Sequence, residues 1–356
     1  MIRRGSDYDG LLAHHNIHTR SRDHVKQILE DGGIEVRVVN RFQYNEEQID
    51  WADVIITAGG DGTFLMAASK IFTKSKPVIG INSDPSRSVG YLCLDPAYSL
   101  NFRPALERLQ SGNFRWIYRQ RIRVSIKGES SFDPPAELHN QQLLHPEFRY
   151  LDLETHPLNR RSNSPPRPDS AESLNSDYHS YHVLPVRALN DVFIGECLSS
   201  RVSYFEFAVD DRPAVKVKSS GVTICTGTGS TSWSFNINKI SPQSVQTLFS
   251  LIKEETGVLL NPNDDLLVRK LTKKFNDSLI FDVCEKTMAY TVRDPVYMGN
   301  EFDSENRGFS NQITIKSRMF DACVVIDGGL SYAFNDGAYA RFDLLDEDQL
   351  QTISFD

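Results

Sequence analysis

The chain has 356 residues, of which 40% are hydrophobic and 24% charged, and its formal net charge is −8. That length holds two domains or one large one with ample core, and the acidic balance argues against a general nucleic-acid binder. No apolar run approaches the roughly 20 residues that a membrane-spanning helix needs.

The five cysteines are widely spaced, odd in number and free of any CxxC pair, which argues against a disulfide framework or a zinc site. They point to a reducing compartment, and each reads as a small buried hydrophobe. The opening Met1-Ile2-Arg3-Arg4 is basic but too short for a signal or transit peptide, so no address is visible in this chain. Val25, Ile28 and Leu29 predict a first helix, stopped by Gly32-Gly33. Residues 34–39 are rich in Val and Ile and predict a strand. A short helix over 46–51 then leads into a strand over 53–57. An open α/β unit ordinarily begins with a strand, so a strand ahead of the first helix is missing from this pattern.

Val54-Ile55-Ile56 reads as a strand covered on both faces. The turn Gly59-Gly60-Asp61-Gly62-Thr63 follows it. Phe64, Leu65, Ala68, Ile71 and Phe72 then recur at helical spacing, so the turn opens a helix N-terminus. Backbone N–H groups and the positive dipole end gather there, and phosphate is what such a place binds. Asp61 would repel phosphate. Its presence makes sense if it takes a proton from an attacking hydroxyl. The competing reading is a structural loop with Asp61 near an N-cap. The turn is neither a Walker A loop nor the dinucleotide fingerprint. Residues 77–82 form another buried strand, ending at Asn82. Alternating helices and apolar strands imply an α/β layer with a parallel sheet, whose ligands sit beyond the carboxyl ends of the strands. The glycine turn and Asn82 both fall at such ends.

Residues 97–109 read as one helix with Leu100, Ala105, Leu106 and Leu109 inward. Arg119, Arg121 and Arg123 then alternate with Ile122, Val124 and Ile126, a period of two that marks a β-rich second domain. The arginines read as a solvated strand face in preference to a phosphate site. From about 128 to 183 the composition is that of a loop or disordered insert, clearest over 159–168. His139, His145, His156, His179 and His182 fall in it at spacings that match no metal motif, and they read as solvent residues. No histidine follows His182. A histidine base for the glycine turns would have to come from the insert or the N-terminus, which leaves a carboxylate as the base.

Asn190-Asp191 interrupts an apolar strand pattern, which is costly unless both are partnered. Bonding to sugar hydroxyls and capping of a local turn both remain open. Strands follow over 202–209, 214–218 and 221–225. The second glycine turn, Thr226-Gly227-Thr228-Gly229-Ser230-Thr231-Ser232-Trp233, adds a row of hydroxyls and could form an anion nest. Trp233 either covers a flat ring or fills the core. Ser241-Pro242 caps a helix running through Ile252, and another helix covers 264–275. Strands return over 312–316 and 322–326, the latter ending in Asp327-Gly328-Gly329, and Asn335-Asp336-Gly337 reads as a hairpin turn.

With both turns in view the chain resembles the NAD kinase family, most closely its mitochondrial branch. The resemblance runs from about Trp51 to the C-terminal strands, outside the insert. Gly59-Gly60-Asp61-Gly62-Thr63 resembles a first signature shared with diacylglycerol, sphingosine and phosphofructo-kinases. Thr228-Gly229-Ser230-Thr231-Ser232-Trp233 resembles the more telling Thr-Gly-Ser-Thr-Ala-Tyr. Asn190-Asp191, Asn82 with Val89-Gly90-Tyr91-Leu92, and Asp327-Gly328 resemble further family positions. Arg187-Ala188-Leu189-Asn190 and Cys225-Thr226-Gly227-Thr228-Gly229-Ser230 look like the mitochondrial branch in particular.

The resemblance implies an α/β N-terminal nucleotide-binding domain with a parallel sheet plus a β-rich C-terminal domain, as in NAD kinases and diacylglycerol kinases. The divisions expected are 1–112, 113–336 and a tail over 337–356 returning to the first domain. It implies an ATP-dependent NAD kinase that phosphorylates the 2′-hydroxyl of the adenosine ribose, with Asp61 as base. Gly59, Gly60, Gly62, Thr63, Asn82, Thr228, Gly229 and Ser230 would bind nucleotide phosphates. Asn190, Asp191, Thr231, Ser232 and Trp233 would line the NAD site. Mg²⁺ would arrive with ATP, with no protein metal site. A homodimer in the mitochondrion, with no nucleic-acid or membrane partner, completes the expectation. Four departures stand out: Asp191 where relatives carry Glu, Ser219-Ser220-Gly221 in place of an Asp-Gly, Trp233 for Tyr, and no late histidine. The alternatives are a lipid or sugar kinase sharing the first turn, or a truncated, non-catalytic nucleotide-binding homologue.

Overall fold

The computed structural model describes residues 7–128, 133–138, 180–198, 200–258, 260–296 and 305–355. They divide into two units, residues 1–121 with 345–356, and residues 122–344. His139, His145, His156, His179 and the stretch 159–168, with what was expected of them, lie outside the described residues.

Unit one is an α/β layer. Its helices are α1 (Tyr8–Asp31), α2 (Glu46–Trp51), α3 (Asp61–Ser69), α4 (Pro96–Leu100) and α5 (Arg103–Gln110). The strands β1 (Ile55–Gly59) and β2 (Val78–Asn82) pair in parallel, with Gly59 opposite Asn82. Every residue of β2 is buried, as a strand covered on both faces requires. α1 buries Val25, Ile28 and Leu29 against Ile81, Phe102, Ala105 and Leu106.

Two expectations fail here for physical reasons. Residues 34–39 run without a ladder partner among the described residues and form no strand. Val36 still packs on the core while Val38 stands exposed, so the alternation survives without the hydrogen bonds. The helix expected over 97–109 is two helices, broken at Asn101, which takes an extended conformation. Pro104 sits in the first turn of α5, where its missing N–H costs nothing, and so marks a helix start. Leu100, expected inward, is 79% exposed.

β3 (Arg115–Arg119) pairs antiparallel with the C-terminal β17 (Leu350–Ser354). That pairing keeps β3 in unit one, so the division falls after Arg121 and not at 112, and the return begins at Leu345 and not at 337. Arg121 is no solvated strand residue. It is fully buried, and it donates to the carbonyls of Ala68 at 3.2 Å and Ile71 at 2.6 Å, and to that of Asp348. One guanidinium thus closes the carbonyl end of α3 and ties it to the returning chain.

Unit two is a two-sheet sandwich. Its strands are β4 (Ile122–Lys127), β5 (Ala136–Glu137), β6 (His182–Ala188), β7 (Asp191–Glu196), β8 (Ser203–Val209), β9 (Val215–Ser219), β10 (Val222–Cys225), β11 (Met288–Val292), β12 (Arg307–Ser310), β13 (Gln312–Ser317), β14 (Ala322–Ile326), β15 (Leu330–Ala333) and β16 (Tyr339–Leu344). One sheet runs β12-β11-β10-β7-β14-β15-β5 and the other β6-β4-β16-β13-β8-β9. Alternate residues of both sheets, among them Val124, Val192, Phe205, Ile224, Ile313, Val324 and Phe342, fill one core. Helices α6 (Trp233–Asn238), α7 (Pro242–Thr256) and α8 (Asp265–Asp277) interrupt the strands, and α7 packs on α8 through Val245, Phe249 and Val268.

Within the stretch expected to be an insert, Ala136–Glu137 add an edge strand to β15, and His182 lies in β6. The Asn335-Asp336-Gly337 turn joins β15 to β16, which belong to different sheets, so it is a crossover and not a hairpin. Of the cysteines, Cys225 and Cys323 are buried, Cys93 is half-buried, and Cys197 and Cys284 are exposed. The expectation that all five are buried holds only where a strand interior surrounds the thiol.

Candidate active site

The chemistry-bearing residues of unit one gather at the carboxyl ends of β1 and β2. Gly60 stands at the N-cap of α3 with no side chain to cap it, and Asp61 is the first helical residue. The helix thus presents its opening backbone donors and its positive end at this point. Asp61 does not cap its own helix. Its Oδ1 accepts from the N–H of Leu92 at 2.8 Å and its Oδ2 from the N–H of Tyr91 at 3.2 Å. Two peptide donors from a distant segment therefore fix the carboxylate, while each oxygen keeps a second lone-pair direction. Beside it, burial and the Asp61 charge push the Cys93 thiol up to about 12, so the thiol stays neutral.

The glycines of this turn serve different ends. A Cβ on Gly59 would stand 2.2 Å from Thr63 Oγ1, so Gly59 is required by its own turn. A Cβ on Gly62 would meet nothing within 4 Å. Open space over the first turn of a helix is what a phosphate needs. Asn82, expected to bind nucleotide, is committed elsewhere. Its Nδ2 donates to the Ser88 carbonyl at 2.8 Å and to Ser88 Oγ at 3.2 Å, and its Oδ1 accepts from the Asp84 N–H at 3.1 Å. It shapes the loop that carries Tyr91 and Leu92 to Asp61. Gly90 crosses this side chain at φ +70, and a Cβ there would lie 2.7 Å from Asn82 Nδ2.

Sequence reasoning passed over two histidines at the same end of the sheet. His18 Nδ1 lies 3.0 Å from Ser83 Oγ, and His14 Nδ1 lies 3.2 Å from Asp84 Oδ2. Burial, with Arg22 and His15 nearby, pushes the His18 pKa down, so it is neutral at physiological pH. The i, i+4 spacing of His14 and His18 on one helix face was the available signal.

In unit two the residues gather at the corner between β6 and β7. The Leu189-Asn190 break is closed by Asp327, whose carboxylate accepts from the N–H groups of Leu189 at 2.9 Å, Asn190 at 2.8 Å and Asp191 at 3.1 Å. Asp191 is 7% exposed, and burial first, then the Asp327 charge, pushes its carboxyl up to about 7. Asn190 Nδ2 donates to Ser232 Oγ at 3.2 Å, while Asn190 Oδ1 is buried with no hydrogen-bond partner. An unmatched buried acceptor is costly, and a ligand donor would relieve it.

The second glycine turn supports this corner from behind. A Cβ on Gly229 would stand 2.0 Å from the Asn190 carbonyl oxygen, and one on Gly227 2.0 Å from that of Asp282. Thr226 Oγ1 donates to the Leu189 carbonyl at 2.5 Å, Ser230 Oγ to that of Gly227 at 2.6 Å, and Thr231 Oγ1 to that of Thr228 at 3.3 Å. Thr228, Gly229 and Ser230 are buried. Of these three, expected at the phosphates, Gly229 lets the Asn190 backbone approach and Ser230 Oγ ties back to Gly227, so both brace the turn from within. Thr231 and Ser232, next in the chain, are half-buried. Trp233 neither fills the core nor stands free. It is 38% exposed, tilted against Phe193 with ring centroids 5.4 Å apart, and the Arg293 guanidinium lies 5.1 Å from its centroid.

Comparison with known proteins fits this geometry. Residues 13–92 match the family model of the ATP-NAD kinase N-terminal domain. The chain is 44% identical over 351 residues to the rat protein named NAD kinase 2, mitochondrial, covering 98% of this chain and 79% of that one. It is 45% identical to the human protein of the same name, covering 98% and 76%. In fold it is similar to an NAD kinase from Archaeoglobus fulgidus solved with ATP, at a TM-score of 0.52 and 16% identity, covering 94% of this chain and 88% of that one. Yeast NADH kinase solved with NADH gives 0.50 at 16% identity, covering 85% and 62%.

Proposed function

The chain belongs to the NAD kinase family, in its mitochondrial branch, and from that premise we propose that it transfers the γ-phosphoryl group of ATP to the 2′-hydroxyl of the adenosine ribose of NAD. The bond from the ribose O2′ to the γ-phosphorus forms, the bond from that phosphorus to the β,γ-bridging oxygen breaks, ADP leaves, and the hydroxyl proton passes to Asp61. The observation that carries this reading is the Asp61 carboxylate, anchored by two peptide N–H groups at the open N-terminus of α3. A loose phosphoryl-transfer transition state asks for a placed proton acceptor more than for a strong one.

The first turn of α3, with Gly60, Gly62 and Thr63, holds the triphosphate. Asn190, Asp191, Thr231, Ser232 and Trp233 hold the dinucleotide, with the unmatched Asn190 Oδ1 accepting from a ligand N–H or O–H. Mg²⁺ enters as part of the ATP substrate and neutralises charge on its β- and γ-oxygens. Among the described residues no group of three or more His, Cys, Asp or Glu is placed to hold a metal ion. The chain works in the mitochondrion, the compartment in the names of its rat and human relatives. A homodimer rests on the family resemblance alone, and sedimentation at micromolar concentration reads it directly.

The test is NADP formation by the Asp61→Asn and Asp61→Ala variants. Loss of a general base predicts a fall in kcat of about 10²–10⁴-fold, with calorimetric NAD affinity kept. Turnover retained in both variants would remove Asp61 from the chemistry. A panel of NAD, diacylglycerol and fructose 6-phosphate separates this reading from a lipid or sugar kinase.

A further inference from the structure

Asp327 carries no role in the reaction as derived so far, yet its surroundings are those of a built device. It lies directly after β14, and it is one of three non-glycine residues at positive φ among the described residues, at +48. An L-residue held there is strained and persists only when its surroundings over-determine it. They do. Its carboxylate accepts from three consecutive N–H groups, those of Leu189, Asn190 and Asp191, and its own N–H donates to the Asp191 carbonyl at 2.9 Å. Leu189 and Asn190 stand between two strands of different sheets, so their N–H groups have no ladder to join. Gly329, two residues on, donates to the Ile326 carbonyl at 2.9 Å and closes the turn that aims the carboxylate.

We propose that Asp327 is the positioning residue of the dinucleotide subsite, setting the Leu189–Asp191 corner so that Asn190 and Asp191 meet the ribose and base of the acceptor. The inference rests on the NAD kinase reading above. Geometry gives the reason for a carboxylate at this position. Two of the three donors, those of Asn190 and Asp191, converge on Oδ1, and the third, that of Leu189, requires Oδ2 as an acceptor. Asn would offer one acceptor and one clashing donor, and Ser or Ala none. The same corner fixes Asn190, whose amide nitrogen is bound to Ser232 Oγ while its oxygen is left for the ligand.

Asp327 also tunes its neighbour. The titratable groups facing Asp191 are Asp327 from the end of β14 and Cys225, its register partner on β10. Burial pushes the Cys225 thiol up to about 12, so it carries no charge near neutrality. The Asp327 charge is therefore the removable part of what raises Asp191, and burial is the fixed part.

The experiment compares the chain with its Asp327→Asn and Asp327→Ala variants. It measures KM for NAD and for ATP, calorimetric NAD affinity, thermal midpoint, and the pH profile of kcat/KM for NAD. Loss of the clamp is expected to raise KM and Kd for NAD roughly tenfold or more, with KM for ATP within about twofold. In the parent chain kcat/KM for NAD is expected to fall as pH drops through about 7 and Asp191 gains its proton. In Asp327→Asn, which keeps the side chain's size but loses the charge and one acceptor, that limb is expected to move to lower pH. Asp327→Ala serves only if it folds, and Asp327→Asn keeps the test open if it does not. An unchanged NAD affinity with an unmoved acid limb overturns the proposal, as does an equal loss for NAD and ATP in step with a lowered melting midpoint. A parent chain that neither binds nor phosphorylates NAD sinks the kinase reading itself, an outcome separate from any variant.

Discussion

The two carboxylates that matter most live in opposite surroundings. Asp61 is half-exposed, and its carboxylate accepts from two peptide N–H groups. Asp191 is buried beside a second carboxylate, and its pKa rises from 3.8 to about 7. A carboxyl raised by folding binds its proton more tightly in the native state. Its contribution to stability is complete below the unfolded pKa and is lost as pH rises through the folded one, by up to about 4 kcal/mol for a shift of this size. Asp191→Asn, neutral at every pH, should therefore gain thermal stability relative to the parent as pH goes from 5 to 8 without nucleotide. A constant difference between the two melting curves would refute the burial argument. The sequence marked Asn190-Asp191 as a polar pair in an apolar strand. It could not mark Asp327 as the group satisfying that corner, because Asp327 lies 137 residues beyond Asn190 and meets it only through the β7–β14 pairing.

At the scale of elements, the glycine turns look alike in sequence and differ in what each glycine does. Gly62 faces open space in the first turn of α3, whereas a Cβ on Gly229 would overlap the Asn190 carbonyl oxygen at 2.0 Å. Gly62→Ala is expected to keep or raise stability, by up to about 1 kcal/mol from helix propensity, and to raise KM for ATP. Gly229→Ala should cost about 2–3 kcal/mol or more by forcing two backbones apart, and should weaken NAD binding along with it. Equal melting points for the two variants would show that the second turn is not closely packed. Propensity and period placed most elements, because helix and strand are easily told apart where a short run is β-branched and bounded by turns, as in β10 and β14. They misplaced residues 34–39, because a strand is a paired object and its pairing is not local. They also merged α4 with α5, where helical periodicity continues across a break at Asn101.

For the whole molecule, the chain passes from unit one to unit two and back, so unit one is completed only by its last residues. β17 pairs with β3, Phe355 packs on Tyr98 and the α1–α5 core, and the Asp348 carbonyl accepts from buried Arg121. Removal of residues 345–356 is expected to unfold unit one while the sandwich core of unit two persists. Hydrogen exchange should then show protection kept in β7, β10 and β14 and lost in β1, β2 and α3. Uniform loss across both units would mean that the two cores do not stand separately.

The residues by themselves carried the resemblance to the family through their motifs, and they determined the α/β layer followed by a β-rich part and the acid at the head of α3, because these last follow from short-range spacing. The glycine turn, the strand periods and the helix starts are readable within about ten residues of chain. Tertiary structure alone decided that Arg121 is a buried clamp, that Asn82 shapes a loop, that Ser230 locks a turn and that Asp327 holds the Asn190 corner. Arg121 and Asp327 bond to backbone far along the chain, where the partner is set by how the chain returns on itself, while Asn82 and Ser230 bond within their own loops, whose path the packing around them decides.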